Sequence, residues 1–164
     1  MYATASNLLN QFAAEEIAQR ADRGIPRLVT AAMLHVAADG GDMSGYTAEE
    51  QAAATAALAL VGQKLLDADS VINGHLATRY QVPLSTVPRL ILSAACDLAR
   101  YALYDDIATE QITQRYKDAI KLLEAIGNGK VSLGIDTLGN KPVTTGSAQI
   151  ESVGKVFARD GSFL

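Results

Sequence analysis

The sequence predicts an all-α protein: a small helical bundle of four main helices plus one short helix, with a long extended C-terminal arm. Three observations carry this prediction. Alanine, the strongest helix former, accounts for 28 of the 164 residues. Aromatic residues make up only 5% and tryptophan is absent, which favours closely packed helices over an aromatic-rich β-sandwich. Apolar residues also recur in steps of three and four through most of residues 1–126.

The first predicted helix begins at a cap, Thr4 or Ser6, whose hydroxyl can accept a free N–H of the first turn. It runs to about Gln19, and Gly24 and Pro26 end it. Its apolar positions include Leu8, Leu9, Phe12 and Ile17.

A short helix is expected next, after an extended segment at Leu28 and Val29. Thr30 can cap its start. The glycine turn at residues 39–42 ends it. Its apolar residues are Met33, Leu34 and Ala37.

A long helix is predicted from the capping box of Thr47 and Glu50, whose side chains each accept a free N–H at the helix start. It continues to Tyr80, about 48 Å at 1.5 Å per residue. Its apolar positions are Leu58, Val61, Leu65, Ala68, Ile72 and Leu76. Gly62 and Gly74 lie inside it and indicate either a bend or a close helix contact, because each costs about 1 kcal/mol relative to alanine.

Two further helices are predicted. The first opens at residues 86–88, since Pro88 is tolerated in a first turn, and ends near Asp105. Its buried stripe is expected to be Leu90, Ala94, Leu98 and Tyr101, with Ile91, Ala95 and Ala102 beside it. Thr109 caps the second helix and Gly127 closes it. Its apolar side consists of Ile112, Tyr116, Ala119, Ile120, Leu123 and Ile126.

The composition changes after Ile126. The last 38 residues contain seven of the 13 glycines and show no helical periodicity. Short strands are predicted there at residues 131–133, 143–144 and 152–157. We therefore divide the chain into a helical domain, residues 1–126, and an extended glycine-rich arm, residues 127–164. Because so long a structureless stretch is rare in a compact domain, we expect other chains to hold this arm.

Charge and hydropathy exclude several classes of protein. The net charge of −4 argues against a protein that binds free nucleic acid. The most apolar stretch, residues 52–61, is shorter than the roughly 20 residues of a membrane span, and the first ten residues lack the features of a secretory signal. The single cysteine, Cys96, fits a reducing compartment and has the character of a small buried apolar residue. We expect a cytoplasmic protein with no membrane partner.

No catalytic or metal-binding arrangement is predicted. The segment 127–130 lacks the first glycine and the hydroxyl of a phosphate-binding loop. His35 and His75 lack the preceding glutamates of a di-iron site, and two histidines with one cysteine are too few for zinc. Asp67 and Asp69 project on different sides of their helix, so we expect solvated or interface charges there. The prediction is a protein without enzymatic activity, cofactor or metal.

Charged and aromatic residues of the predicted helix after Pro88 are candidates for an interface. Asp97 and Arg100, three residues apart, can pair along the helix, and Tyr101 and Tyr104 extend the same polar and aromatic edge. A surface ion pair beside core tyrosines is one interpretation. A subunit contact is the other, since arginine and tyrosine are enriched at interfaces. The sequence leaves the two equally open.

Several segments in a fixed order carry a family resemblance. They are residues 68–80 (ADSVINGHLATRY), 82–84 (VPL), 87–88 (VP), 96–104 (CDLARYALY), 115–119 (RYKDA), 133–134 (LG) and 157–160 (FARD), together with Tyr2, Ala3, Thr4, Leu8 and Phe12 at the start. In these segments the chain resembles the Mu-like prophage virion neck family, the small helical head-tail connector or adaptor proteins of tailed bacteriophages. His75 stands where a tyrosine is more usual, and residues 26–46 form a variable region.

The resemblance implies a homo-oligomeric ring, twelvefold, beneath the portal protein in the neck of the virion, assembled in the host cytoplasm. The ring would join capsid to tail, meet a stopper or tail-side neck protein, and leave a channel through which DNA passes without sequence-specific binding. The candidate subunit or portal contacts are Arg79, Tyr80, Asp97, Arg100, Tyr101, Tyr104, Leu133, Phe157, Arg159 and Asp160. The alternative is a soluble helical module that binds and regulates another protein without catalysis.

Overall fold

The structure, a computed structural model, describes residues 1–135, and these contain six α-helices. They are α1 (Ala5–Gln11), α2 (Ala14–Ala21), α3 (Ala31–Ala38), α4 (Ala48–Leu76), α5 (Arg89–Tyr104) and α6 (Glu110–Gly127), with a 3₁₀ turn at Asp105–Ile107. The predicted all-α class is confirmed. The strand predicted at residues 131–133 is wrong, since no strand occurs within residues 1–135. The other two predicted strands, and residues 136–164 of the predicted arm, lie outside the described residues.

Threonine side chains cap four of the helices, as the sequence predicts. Thr4, Thr30, Thr47 and Thr109 each accept the N–H of the third residue of the helix that follows. Thr4 and Thr47 form complete capping boxes with Asn7 and Glu50. Ser6, the other candidate for the first cap, instead donates its hydroxyl to Asp39 Oδ1 at 2.6 Å. Short polar side chains thus fix where these helices begin.

The single helix predicted from residue 4 to about residue 19 is wrong, because α1 and α2 are separate helices. Phe12 leaves the helical conformation (φ −126°, ψ 167°) and ends α1. The break places the Phe12 ring against Arg100, whose guanidinium carbon lies 4.4 Å from the ring centroid. A contact of this kind contributes about 0.5–2 kcal/mol. It depends on a residue 88 positions away, which helical spacing alone does not reveal.

The long helix α4 packs across the bundle along the predicted apolar positions. Val61, Leu65, Ile72 and Leu76 are 0–1% exposed, and Ala54, Ala57 and Ala68 fill the positions between them. The helix is about 43 Å long at 1.5 Å per residue, slightly shorter than predicted, because it ends at Leu76 and not at Tyr80. A Cβ atom added at Gly62 or Gly74 would meet nothing within 4 Å, so neither glycine serves a close contact within residues 1–135.

The predicted buried stripe of α5 is wrong in part. Leu90 is 41% exposed and Tyr101 is half-buried, whereas Ile91 is fully buried. The reason is that α5 lies among α1, α2, α4 and α6, so it buries more than one stripe. The buried set is Ile91, Ala94, Ala95, Cys96, Leu98, Ala99, Leu103 and Tyr104. The small side chains in this set let four helices approach α5 closely.

Helix α6 ends against the C-terminal end of α4. Gly127 is its last residue, and a Cβ atom there would lie 2.5 Å from the carbonyl oxygen of His75. The chain then continues along the bundle: Val131 and Leu133 pack against the core, and the Leu133 N–H donates to the Tyr80 hydroxyl at 3.3 Å. These contacts leave residues 131–133 without a neighbouring strand. The division between a domain 1–126 and an arm 127–164 stays a prediction.

Across residues 1–135, every helix is too short or too polar to cross a lipid bilayer.

Candidate subunit interface

A half-buried polar cluster joins α2 to α5. Arg100 donates to both carboxylate oxygens of Glu16, from Nε at 2.7 Å and from Nη2 at 2.8 Å, and Tyr104 donates its hydroxyl to Glu16 Oε1 at 2.7 Å. Burial alone would raise the pKa of Glu16, but the hydrogen bonds from Arg100 and Tyr104 outweigh it and lower that pKa. Because two N–H groups of the guanidinium bind the two oxygens of the carboxylate, this pairing fixes the relative orientation of Arg100 and Glu16 as well as balancing their charges.

The predicted pair of Asp97 with Arg100 is therefore wrong. Asp97 Oδ1 instead lies 3.1 Å from Arg115 Nε on α6, but without a well-formed hydrogen bond to any residue in the described part of the chain. Burial raises the pKa of Asp97, and the charges of Arg115 and Arg100 oppose that rise. Arg100 and Arg115 each pair with a carboxylate on another helix. Residue spacing within one helix does not predict such pairs.

Aromatic rings extend the same cluster. The rings of Tyr101 and Tyr116 stack with centroids 4.2 Å apart, joining α5 to α6. Arg20 lies over the ring of Tyr104, 4.4 Å from its centroid. The polar and aromatic edge predicted on α5 thus exists, and its members bind other helices of the same chain.

A second group of candidate residues lies where the chain leaves α6. Tyr80 is 6% exposed, and its hydroxyl receives the Leu133 N–H. The Arg79 guanidinium lies beside Gly129, where a Cβ atom would be only 2.9 Å from Arg79 Nη1. Arg79 itself is exposed.

The structure thus brings together Asp97, Arg100, Tyr101 and Tyr104 around one cluster and Arg79, Tyr80 and Leu133 around another. Their contacts with a second subunit or a portal stay predictions. Phe157, Arg159 and Asp160 lie outside the described residues.

Sequence reasoning missed a buried acidic residue on α4. Asp69, expected to be solvated or at an interface, is 9% exposed and receives the Tyr2 N–H on both oxygens, at 3.0 and 3.2 Å. The Met1 ammonium lies 3.5 Å from its Oδ2. The Tyr2 hydroxyl donates to Asn73 Oδ1 and accepts the Leu84 N–H at 3.1 Å. No local sequence pattern indicates that Asp69 is buried, because Met1 and Tyr2, which bind its carboxylate, lie more than 60 positions before it.

One side of α4 is left uncovered by the other helices of residues 1–135, and its composition is unusual for an exposed helix surface. Its exposed positions are Ala52, Thr55, Ala56, Ala59, Gln63, Leu66, Asp67, Ser70, Val71 and Gly74, and Asp67 is the one charged residue among them. Residues 51–63 contain no charged residue. Leu66 and Val71 are 49% and 41% exposed. Solvent-facing sides of helices are normally charged or polar, so this surface, which we call the α4 outer face, has the character of a contact surface.

Two kinds of reactive site, a metal centre and a reactive thiol, can be checked among the described residues. No group of three histidine, cysteine or carboxylate side chains that could hold a metal ion occurs within residues 1–135. Cys96 is buried, and burial together with the charge of Asp97 raises the pKa of its thiol to about 12. A thiol with so high a pKa is a poor nucleophile at neutral pH.

Comparisons with known proteins place the relatives of this chain among phage and prophage proteins. Residues 2–152 match the model of a family described as "Bacteriophage Mu, Gp36". The chain is 38% identical over 104 residues to the Mu-like prophage FluMu protein gp36 of Haemophilus influenzae, a match that covers 63% of this chain and 74% of that protein. It is 35% identical over 102 residues to gene product J of Escherichia phage Mu, which covers 62% of this chain and 72% of that protein.

Proposed function

Because the chain belongs to the bacteriophage Mu Gp36 family, we propose that it is a structural protein of the phage particle. Copies of the chain form a twelvefold ring beneath the portal, at the neck of the virion. The ring joins capsid to tail, receives a stopper or tail-side neck protein, and leaves a channel for DNA.

The α4 outer face is the observation that carries this proposal. It extends along a helix of about 43 Å, and residues 51–63 of that helix carry no charge. Gly62 and Gly74 each cost about 1 kcal/mol in helix stability, and no residue within 1–135 lies near enough to need them. A neighbouring subunit that packs closely against this helix would account for both the missing charges and the glycines.

The net charge fits a conduit for DNA. Each chain carries a formal charge of −4, and a ring multiplies that charge around its channel. Tight protein–DNA binding depends on lysine and arginine contacts to phosphates, which an acidic ring disfavours. DNA can therefore slide through without being held.

The experiment compares two glutamate substitutions. Ala59→Glu introduces a charge on the α4 outer face, and Ala32→Glu introduces the same charge at an exposed position of α3 as the matched control. Circular dichroism checks that both variants fold. Light scattering after size exclusion, and negative-stain images with the purified portal of the same phage, then report assembly.

We expect rings on the portal for the original chain and for Ala32→Glu, and none or far fewer for Ala59→Glu. Equal assembly of the three proteins would refute the role of the α4 outer face. A chain that stays monomeric and does not bind the portal would refute the connector and favour the regulatory module.

A further inference from the structure

The loop between α2 and α3 displays an aliphatic side chain in a fixed position. Ile25 is 100% exposed, between two arginines, Arg23 and Arg27. The Asp22 carboxylate accepts three backbone N–H groups, from Gly24 at 2.8 Å, Leu28 at 2.7 Å and Val29 at 2.9 Å. We call residues 22–29 the Ile25 loop. Its backbone is held in shape while its apolar tip faces solvent, which is typical of a contact residue.

The loop is also tied to the end of α5. Arg23 Nη2 lies 2.8 Å from Asp105 Oδ2 and 3.3 Å from the Leu103 carbonyl oxygen. Arg27 is exposed and forms no hydrogen bond or ion pair within residues 1–135, although its charge helps to lower the pKa of Asp22. The loop therefore offers an apolar side chain and an exposed cation to a partner.

A groove that could receive an apolar side chain and a cation lies between α5 and α6. Its volume is about 260 Å³. Its apolar lining is Leu90, Ala94, Ala119 and Leu122, and its charged lining is Asp97, Asp118 and Arg115. We call it the α5–α6 groove. Arg115 pairs with Asp97, whose buried Oδ1 has no well-formed hydrogen bond among residues 1–135, whereas Asp118 accepts a hydrogen bond from Gln114 at 2.8 Å and forms no ion pair there.

We propose that the Ile25 loop of one subunit docks into the α5–α6 groove of the next subunit. Ile25 enters the space beside Leu90 and Leu122, and Arg27 pairs with Asp118 at the rim. This inference rests on the proposed function, because it names a second contact between copies in the ring, in addition to the contact of the α4 outer face. The occupant is a second copy because the same chain carries both halves: an exposed isoleucine beside an arginine on the loop, and a groove lined by apolar residues, two carboxylates and one guanidinium.

The positions of the two surfaces favour a ring. The loop is bonded to Leu103 and Asp105 at the C-terminal end of α5, whereas the groove residues of α5 lie between Leu90 and Asp97, about 9 Å or more away along the helix. The loop therefore does not fill its own groove. A contact between two different surfaces is heterologous, and repeating it produces a closed ring or a helical filament.

The first test exchanges the charges of the proposed pair. We expect Arg27→Glu and Asp118→Arg each to weaken self-assembly by about tenfold, because each places like charges opposite one another. A chain that carries both substitutions restores the pairing between copies, and assembly should return to near the original level. Lys117→Glu, one position from Asp118 on another side of α6, is the control and should change assembly little. A double variant no better than either single variant would overturn the proposal.

The second test is a disulfide cross-link between separately purified variants, Ile25→Cys and Leu122→Cys, mixed under oxidising conditions. We expect a dimer band on a non-reducing gel from this mixture, and none above background when Lys117→Cys replaces Leu122→Cys. The native Cys96 is buried and does not compete.

The experiments distinguish failure of the docking inference from failure of the proposed function. Rings on the portal without the cross-link would overturn the docking inference and leave the proposed function standing. A cross-link without any ring on the portal would support the docking and overturn the connector function.

Discussion

Replacing Asp22 with alanine tests whether one carboxylate holds the Ile25 loop. Asp22 is 4% exposed and accepts three backbone N–H groups. Hydrogen bonds to a charged acceptor contribute about 1.5–3 kcal/mol each. The full loss is smaller than three such bonds, because Gly24 is exposed and Leu28 is half-buried, so water can reach their N–H groups. Val29 is buried, and its N–H would be left without a partner.

We therefore expect Asp22→Ala to lower the free energy of unfolding by about 2–4 kcal/mol. Urea denaturation followed by circular dichroism at 222 nm measures it, since the chain has no tryptophan. Asp42→Ala is the matched control. Asp42 also accepts a backbone N–H, from Ser44 at 2.8 Å, but it is fully exposed, so its removal should leave stability almost unchanged.

The same residue gives a prediction about pH. Burial would raise the pKa of Asp22, but the three N–H groups outweigh it and lower the pKa in the folded state. A lowered pKa contributes stability above the unfolded value of about 3.9, and that contribution is lost as the pH falls through the folded pKa. The difference in stability between the original chain and Asp22→Asn should be constant from about pH 5 to 8 and shrink below about pH 4. A difference under about 0.5 kcal/mol at pH 7 for Asp22→Ala would refute this account of the loop.

Further predictions concern single positions in the helices. Gly127→Ala should destabilise the fold by about 1–3 kcal/mol in urea denaturation, because its Cβ would meet the His75 carbonyl oxygen. Gly62→Ala should raise the free energy of unfolding of the isolated chain by about 1 kcal/mol and reduce ring assembly measured by light scattering. Asp69→Ala should cost about 3 kcal/mol in urea denaturation, with Asp67→Ala near neutral as its exposed control. Cys96 should not react at pH 8 with an aromatic disulfide that releases a coloured thiolate until denaturant is added. Rapid reaction of the folded chain would contradict the burial of Cys96.

Local signals in the sequence predicted most of the fold. Thr30, Thr47 and Thr109 each mark a helix start through a hydrogen bond that spans three residues, so the neighbouring sequence contains all the information needed. The apolar positions of α4 follow the same logic, because helical period alone decides which side is buried. Where several helices surround one, as around α5, period alone selects too narrow a stripe, and Leu90 was assigned to the wrong side.

Local sequence patterns predicted less of the candidate site than of the fold. Arg100 pairs with Glu16, 84 positions away, and Asp69 binds Tyr2, 67 positions away. Such partners are chosen by how the helices pack, which composition and spacing do not encode. The Ile25 loop has a similar origin: glycine and proline predict a turn there, but the full exposure of Ile25 follows from the way Asp22 holds the surrounding backbone.

The closure of α6 against α4 fixes where the final part of the chain departs. Gly127 lies on the His75 carbonyl and Leu133 is bonded to Tyr80, so residue 135 lies near the C-terminal end of the longest helix in every copy. In a symmetric collar, residue 135 of every copy would lie at the same position along the symmetry axis. The two sides of the collar would then differ, because residue 135 of every copy would lie on the same side.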